Sequence, residues 1–249
     1  MRRVLARLFT LGAVAALWPL SASAVVCDVT TVGSSCQIGD AWYQQMDQQP
    51  TGSDHLSFVR IGGPHAEKEG YNTSFRPVQF DEITDLTHTH DLLVADVPVV
   101  QFQGASYYQF GLDINQTGAH PLLSLDQVKV FGTNSTNNTN YSSTTGFANA
   151  SLVYNMDAVA NNWVKMDYSL NSGSGSGDIY MLIPTTALAQ FSNVILYSQF
   201  GTNFRNNDGY EEWFTTQAQA PIPEPGTGAL LLTGLLGMFG VMRRRVFKS

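Results

Sequence analysis

Residues 106–114 read SYYQFGLDI, and their alternation sets the fold class. In an extended chain Tyr108, Phe110, Leu112 and Ile114 share one side, and the residues between them take the other. The same two-residue period recurs along the body. SLVYNMD puts Leu152, Tyr154 and Met156 together, and WVKMDYSL turns Val164, Met166, Tyr168 and Leu170 inward with Lys165 and Asp167 outward. DIYMLIP (178–184), NVILYSQF (193–200) and YEEWFTTQ (210–217) are further short runs of strand-forming residues. No run of ten residues holds a 3.6-residue period; PTTALAQF (184–191) offers one or two helical turns beginning at Pro184. In LLSLDQVKVF (122–131) the phase slips, because Leu123 and Leu125 differ in parity from Val128 and Val130. A β-bulge near Asp126–Gln127 restores a common face. Many short strands, each polar on one side, predict an all-β fold: an antiparallel β-sandwich of jelly-roll type, one domain spanning 25–220.

Two stretches between strands are low in complexity, GTNSTNNTNYSSTTG (132–146) and NSGSGSG (171–177), and are expected to be mobile, solvated loops. If successive strands simply alternate in direction, the loops at 132–150, 171–177 and 201–209 share one end of the sandwich. Those at 115–122, 158–162 and 184–193 share the other. This count places GTNFRNNDG (201–209) far from Asp113 and Asn115.

The chain of 249 residues has 13 Lys and Arg against 20 Asp and Glu, but the charges are unevenly placed. Seven of the basic residues lie near the two ends. Only Arg60, Lys68, Arg76, Lys129, Lys165 and Arg205 remain in the body, beside nineteen acids, for a net of about −13. Such a surface repels nucleic acid. Cys27 and Cys36 flank the turn DVTTVGSS; in an exported protein this spacing predicts a disulfide worth about 2–3 kcal/mol.

Both ends read as addresses. MRRVLARLFTLGAVAALWPLSASA has a basic start, an apolar run from Leu8 to Leu20 and small residues at Ala22 and Ala24. This is a signal peptide (1–24) cut by signal peptidase before Val25. At the other end (221–249), Pro223-Glu224-Pro225 precede an uncharged run from Gly226 to Met242 and then Arg243, Arg244 and Arg245. Seventeen residues make a helix of about 25 Å, at the lower limit for spanning a bilayer, and the arginines stay cytoplasmic. IPEPGTGALLLTGLLGMFGVMRRR resembles the PEP-CTERM sorting segment of exported proteins in Gram-negative bacteria, although Ile222 stands where the family usually has Val. The resemblance implies export, transient anchoring in the inner membrane, and cutting near Pro-Glu-Pro by an exosortase, a membrane cysteine protease. It also implies a destination at the cell surface or in an exopolysaccharide biofilm matrix. The stretches YYQFGLDINQ, LLSLDQVKVF, GSGSGDIYMLIP and NDGYEEW resemble an uncharacterised group of PEP-CTERM ectodomains, which adds no mechanism.

The body contains few patterns tied to chemistry. GSGSG centres on Gly175 rather than serine, so no nucleophile elbow exists, and the glycines do not make a phosphate loop. THTH places His88 and His90 two apart with Asp85 and Asp91 nearby; a third ligand from His65 or His120 would be needed for a transition metal. Calcium is the better candidate cation, through Asp113 and Asn115 in LDINQ and through Asp208 and Glu211, with Asn206, Asn207 and Glu212, in RNNDGYEEW. Under the alternating count these are separate half-sites. Trp42, Trp163 and Trp213 are candidate platforms for carbohydrate. The expected role is that of a non-enzymatic surface or matrix protein. A calcium-dependent carbohydrate-binding module and a polysaccharide-modifying enzyme are the alternatives.

Overall fold

The computed structural model describes residues 23–46, 55–173 and 175–216. Among them the chain forms fourteen strands, two short 3-10 turns (Val94–Asp96 and Tyr168–Leu170) and one α-helical turn, α1 (Thr185–Leu188), which Pro184 precedes as the sequence predicts. Two seven-stranded sheets pack face to face. The first runs β1 (Val26–Asp28), β11 (Trp163–Asp167), β9 (Leu122–Thr133), β13 (Asn193–Phe200), β5 (Lys68–Tyr71), with β10 (Ala150–Asn155) also on β9 and β6 (Leu92–Leu93) on β13. The second runs β2 (Ser35–Ile38), β3 (Ala41–Gln45), β12 (Ile179–Pro184), β8 (Ala105–Asp113), β14 (Tyr210–Thr215), β4 (Leu56–Gly62), with β7 (Val99–Phe102) on β8. All pairings are antiparallel except β1 with β11.

Alternation builds the core. Phe110, Leu112 and Ile114 from one sheet meet Val164, Met166, Val194 and Leu196 from the other, all at most 1% exposed. The expected bulge is present: Phe200 pairs with Leu125 and Gln199 with Gln127, which leaves Asp126 as the extra residue. Leu123, Leu125, Val128 and Val130 are consequently all fully buried. Polar links also cross the core. Trp213 Nε1 donates to Ser198 Oγ at 3.0 Å, and the Tyr43 and Tyr154 hydroxyls meet at 3.0 Å. Cys27 in the first sheet is joined to Cys36 in the second, with Cα atoms 5.7 Å apart, so the expected disulfide ties the two sheets at one edge.

Four expectations fail. Tyr168 and Leu170 do not continue the inward set of β11, because the strand ends at Asp167 and Tyr168–Leu170 form a 3-10 turn with neither side chain fully buried. Leu152 points outward and is 52% exposed, because a register shift between Leu152 and Tyr154 changes the parity of β10. The Asn/Thr-rich stretch is not a solvated loop. Tyr141 and Phe147 fold back onto the outer face of the first sheet and bury themselves with Tyr71, Phe131 and Tyr197. Gln79 fixes this cover through both ends of its amide, accepting from Tyr141 N–H and donating to Tyr141 O. The alternating count of loop ends also breaks. β10 and β11 both run antiparallel to β9, β10 along 129–133 and β11 along 122–125, so the chain between them jogs without reversing. Parity shifts there, and the loops at 114–121, 171–177 and 201–209 gather at one end. Both Gly175 N–H and Asn207 bond to residues of 113–117.

Ala24 is exposed and lies outside any element. Ala22, Pro223, Glu224, Pro225, Arg243, Arg244 and Arg245 lie outside the described residues, as does the apolar run 226–242. Among the described residues no helix is long and apolar enough to cross a membrane.

Candidate functional site

The outer face of the second sheet carries a row of charged side chains across three strands. Arg60 on β4 pairs with Glu212 on β14, which pairs with Asp113 on β8. Arg60 donates from Nε to Glu212 Oε2 at 2.9 Å, and its Nη2 lies 2.7 Å from the same oxygen. Beside this pair the chain presses Phe214 flat over Gly111. A Cβ at Gly111 would stand 2.2 Å from the Phe214 ring, so only glycine fits there. The His55 ring stacks on Phe214 at 3.7 Å between centroids.

Around the Arg60–Glu212 pair opens a pocket of about 450 Å³, walled by His55, Ser57, Thr87, His88 and His90 and closed on one side by Gly175. Edge strand β4 gains one wall from the segment that follows β5. His90 N–H donates to Phe58 O, and Ser57 Oγ donates to His88 O. The Arg76 guanidinium staples that segment by donating to the carbonyls of Thr84 and Thr89, both at 2.7 Å, on either side of the turn carrying His88. The turn itself forms around Asp85, whose carboxylate accepts from Thr87 N–H and Oγ1. These bonds hold the Asp85 carboxyl down at about 2. His88 and His90 therefore sit on a turn beside the sheet edge rather than on one face of a strand.

The third imidazole near them is His55, not His65 or His120. His55 is 93% buried at the side chain, and neither of its ring nitrogens has a hydrogen-bond partner among the described residues. His90 Nδ1 is likewise buried and unpartnered. Burial pushes both imidazoles below their ordinary value; the Arg60 charge adds to this at His55 while Glu212 opposes it. Both are neutral at neutral pH, so each offers one donor and one acceptor.

Asp113 does not line the pocket. It lies beneath Gly175, whose N–H donates to its Oδ2 at 2.7 Å, while Oδ1 is buried without a partner. Burial, with the neighbouring Glu212 charge, lifts this carboxyl to about 7. Asp178, whose Oδ2 accepts from Ile114 N–H, is pushed up by burial as well. Glu211 is fully buried across from Lys68, with Nζ 3.8 Å from Oε1, and burial raises the acid and lowers the amine.

The calcium candidates thus come to one end of the sandwich, contrary to the alternating count, where Asn115 N–H donates to Glu211 Oε2 at 3.1 Å and Glu212 is held by Arg60. Asp113 receives Gly175 N–H and Glu211 faces Lys68. Exposed Asp208 accepts from Gly209 N–H, and Asn115 packs against Gly209, where φ is +56°. Among the described residues no group of three or more His, Cys, Asp or Glu side chains is arranged to hold a metal ion.

Of the aromatic candidates, Trp213 is fully buried between the sheets and cannot be a platform. Its position in the two-residue alternation carried that signal. Trp42 is half-buried on the outer face of the second sheet, edge-on to Phe102. Trp163 is half-buried on the outer face of the first sheet, 5.7 Å from Phe204 between centroids. Sequence reasoning missed His55 and Arg60, and it read Glu212 only as a possible cation ligand. Glu212 stands 152 residues from Arg60 in the chain and meets it only through the pairing of β14 with β4. Comparison with known protein families, with curated proteins and with solved structures finds no match.

Proposed function

We propose that the protein is exported, sorted by its Pro-Glu-Pro and arginine-bounded C-terminal segment, and left at the cell surface or in the surrounding matrix. There it acts as a non-enzymatic, jelly-roll-type β-sandwich that binds neutral saccharide units of extracellular polysaccharide. The two ends of the sequence support the route, and a disulfide within the folded unit fits an oxidising destination. The observation that carries the binding role is the His55 pocket. Its volume falls in the range of small-ligand sites, about 300–1,000 Å³. Its walls offer uncharged imidazoles, two hydroxyls and an internally neutralised Arg–Glu pair, a set suited to sugar hydroxyls, each of which both donates and accepts. A buried imidazole with no partner is costly unless something bonds to it, and a ligand hydroxyl would do so.

A hydrolytic role fits less well. Glycoside hydrolysis uses two carboxyl groups facing one bond, about 5–9.5 Å apart. Among the described residues Glu212 is the single carboxylate lining this pocket, and Arg60 occupies it. The test is equilibrium binding of neutral oligosaccharides cut from the producing cell's own polysaccharide, followed by product analysis. Saturable binding without turnover, weakened by His55→Ala and by the partly exposed His88→Ala, is expected. Release of shorter sugars would refute the non-enzymatic reading, and binding indifferent to both variants would remove this pocket from it.

A further inference from the structure

On the outer face of the first sheet, the loop that follows β13 crosses the start of β9 and is pinned there. Ser124 Oγ accepts from the N–H groups of Asn203 and Phe204, and Gly201 N–H donates to Ser124 O. Asp126, the bulged residue, accepts from Thr202 N–H at 2.7 Å and from Asn203 Nδ2 at 2.7 Å. The bulge turns this carboxylate toward the loop, and both anchoring side chains are buried. The opposite wall is tied just as firmly. Asn207 accepts from Thr117 N–H, and it donates from Nδ2 to His120 O and from its own N–H to Gln116 Oε1.

Between these walls lies a second pocket, of about 440 Å³, with Phe204, Arg205, His120 and Pro121 among its lining and no carboxylate. Lys165 extends its ammonium to 5.5 Å from the centre of the Phe204 ring, shared with Asp28 at 3.5 Å, and Trp163 stands behind. Arg205 is the notable member. The other five lysines and arginines among the described residues each pair with a carboxylate or donate to a carbonyl or hydroxyl. Arg205 makes no ion pair or hydrogen bond to any described residue and is exposed. A body carrying about −13 has abundant carboxylates with which to neutralise it, yet this guanidinium is held apart from them on a fixed loop beside an aromatic ring.

We propose that this pocket is a binding site for an acidic saccharide, a hexuronate residue within a polysaccharide. The sugar carboxylate takes the Arg205 fork with two parallel hydrogen bonds, as guanidinium geometry favours. The apolar face of the sugar ring lies against Phe204, and His120 and Asn207 add polar groups at the rim. Both walls are tied down before any ligand arrives, so little ordering cost opposes binding. The site lies on the opposite sheet from the His55 pocket and adds a second, charge-selective contact to the saccharide-binding reading without depending on that pocket.

Calorimetric titration of the exported protein at low ionic strength with a galacturonate trimer and with the neutral galactose trimer tests this. The acidic trimer is expected to bind at least tenfold more tightly than the neutral one at this site. Arg205→Ala should remove that preference, and Arg205→Lys should keep part of it. Added salt should weaken the acidic trimer alone. Equal affinity for the two trimers, or a preference that survives Arg205→Ala, overturns the proposal. A preference lost with His55→Ala and kept in Arg205→Ala also overturns it, by moving the carboxylate to the other pocket, and leaves the neutral-saccharide reading standing.

Discussion

Asp113 shows how a single side chain ties the sandwich to solution pH. Unfolded, its carboxyl ionises near 3.8; folded, burial and the Glu212 charge move that to about 7. Between these values the folded state binds a proton that the unfolded state has released, so stability falls as pH rises through the window. At 1.36 kcal/mol per pH unit the upper limit for this residue is about 4 kcal/mol. Asp178 and Glu211 shift in the same direction. These carboxyls favour the fold near pH 5 over pH 8. The His55 and His90 imidazoles, held below their ordinary value by burial, pull the other way as pH falls, so the Asp113 share is read from its variant. Asp113→Asn keeps an oxygen for Gly175 N–H and cannot ionise, so it should raise the pH 8 melting temperature by several degrees while changing the pH 5 value little. Thermal melts of both proteins across pH 4–9 check this, and an unchanged pH slope in the variant would show that the buried proton is held elsewhere. None of this was legible in the sequence. LDINQ reads equally well as a turn or a calcium loop, and the burial of Asp113 depends on Gly175, sixty-two residues away.

Among the elements, β9 is where sequence and structure agree best and where they part. Its slipped phase announced the bulge at Asp126, since only an extra residue lets Leu125 and Val128 both face inward. What could not be read was that β10 and β11 are two halves of one broken strand along the same edge of β9. A turn-rich linker looks the same in sequence whether the chain reverses or jogs, and that ambiguity moved an entire set of loops to the wrong end. The Asn/Thr-rich segment misled differently. Its composition is that of a solvated loop, but Tyr141 and Phe147 are enough to glue it to the sheet. At the edge, β1 and β2 lie in different sheets and are held by the disulfide as well as by pairing. Reducing that bond, or replacing both cysteines with serine, should cost about 2–3 kcal/mol, the entropy of opening a ten-residue loop. The loss should appear as a lower denaturant midpoint. No change in midpoint would mean that strand pairing alone fixes this edge.

For the whole molecule, direction matters as much as contact. β14 pairs antiparallel with β8, beginning beside Asp113 and running away from the end where the loops 114–121, 171–177 and 201–209 gather. The last described strand thus heads away from the Arg205 pocket. Arginines crowd the two ends of the chain, while the strand-rich middle is strongly acidic; on the export route proposed above, a membrane that retains basic flanks in the cytoplasm would pass the middle outward. If both ends are addresses, neither should persist in the protein at work. Intact-mass measurement of the chain recovered from the cell surface and medium should give a species that begins at Val25 and lacks the apolar run 226–242 and the arginines beyond it. Its mass should also be two hydrogens below that of the reduced chain, from the Cys27–Cys36 bond. A species still ending at Ser249 would make the tail a permanent anchor and end the sorting reading. The sandwich and its two pockets would be unaffected, because their contacts are made within residues 23–216.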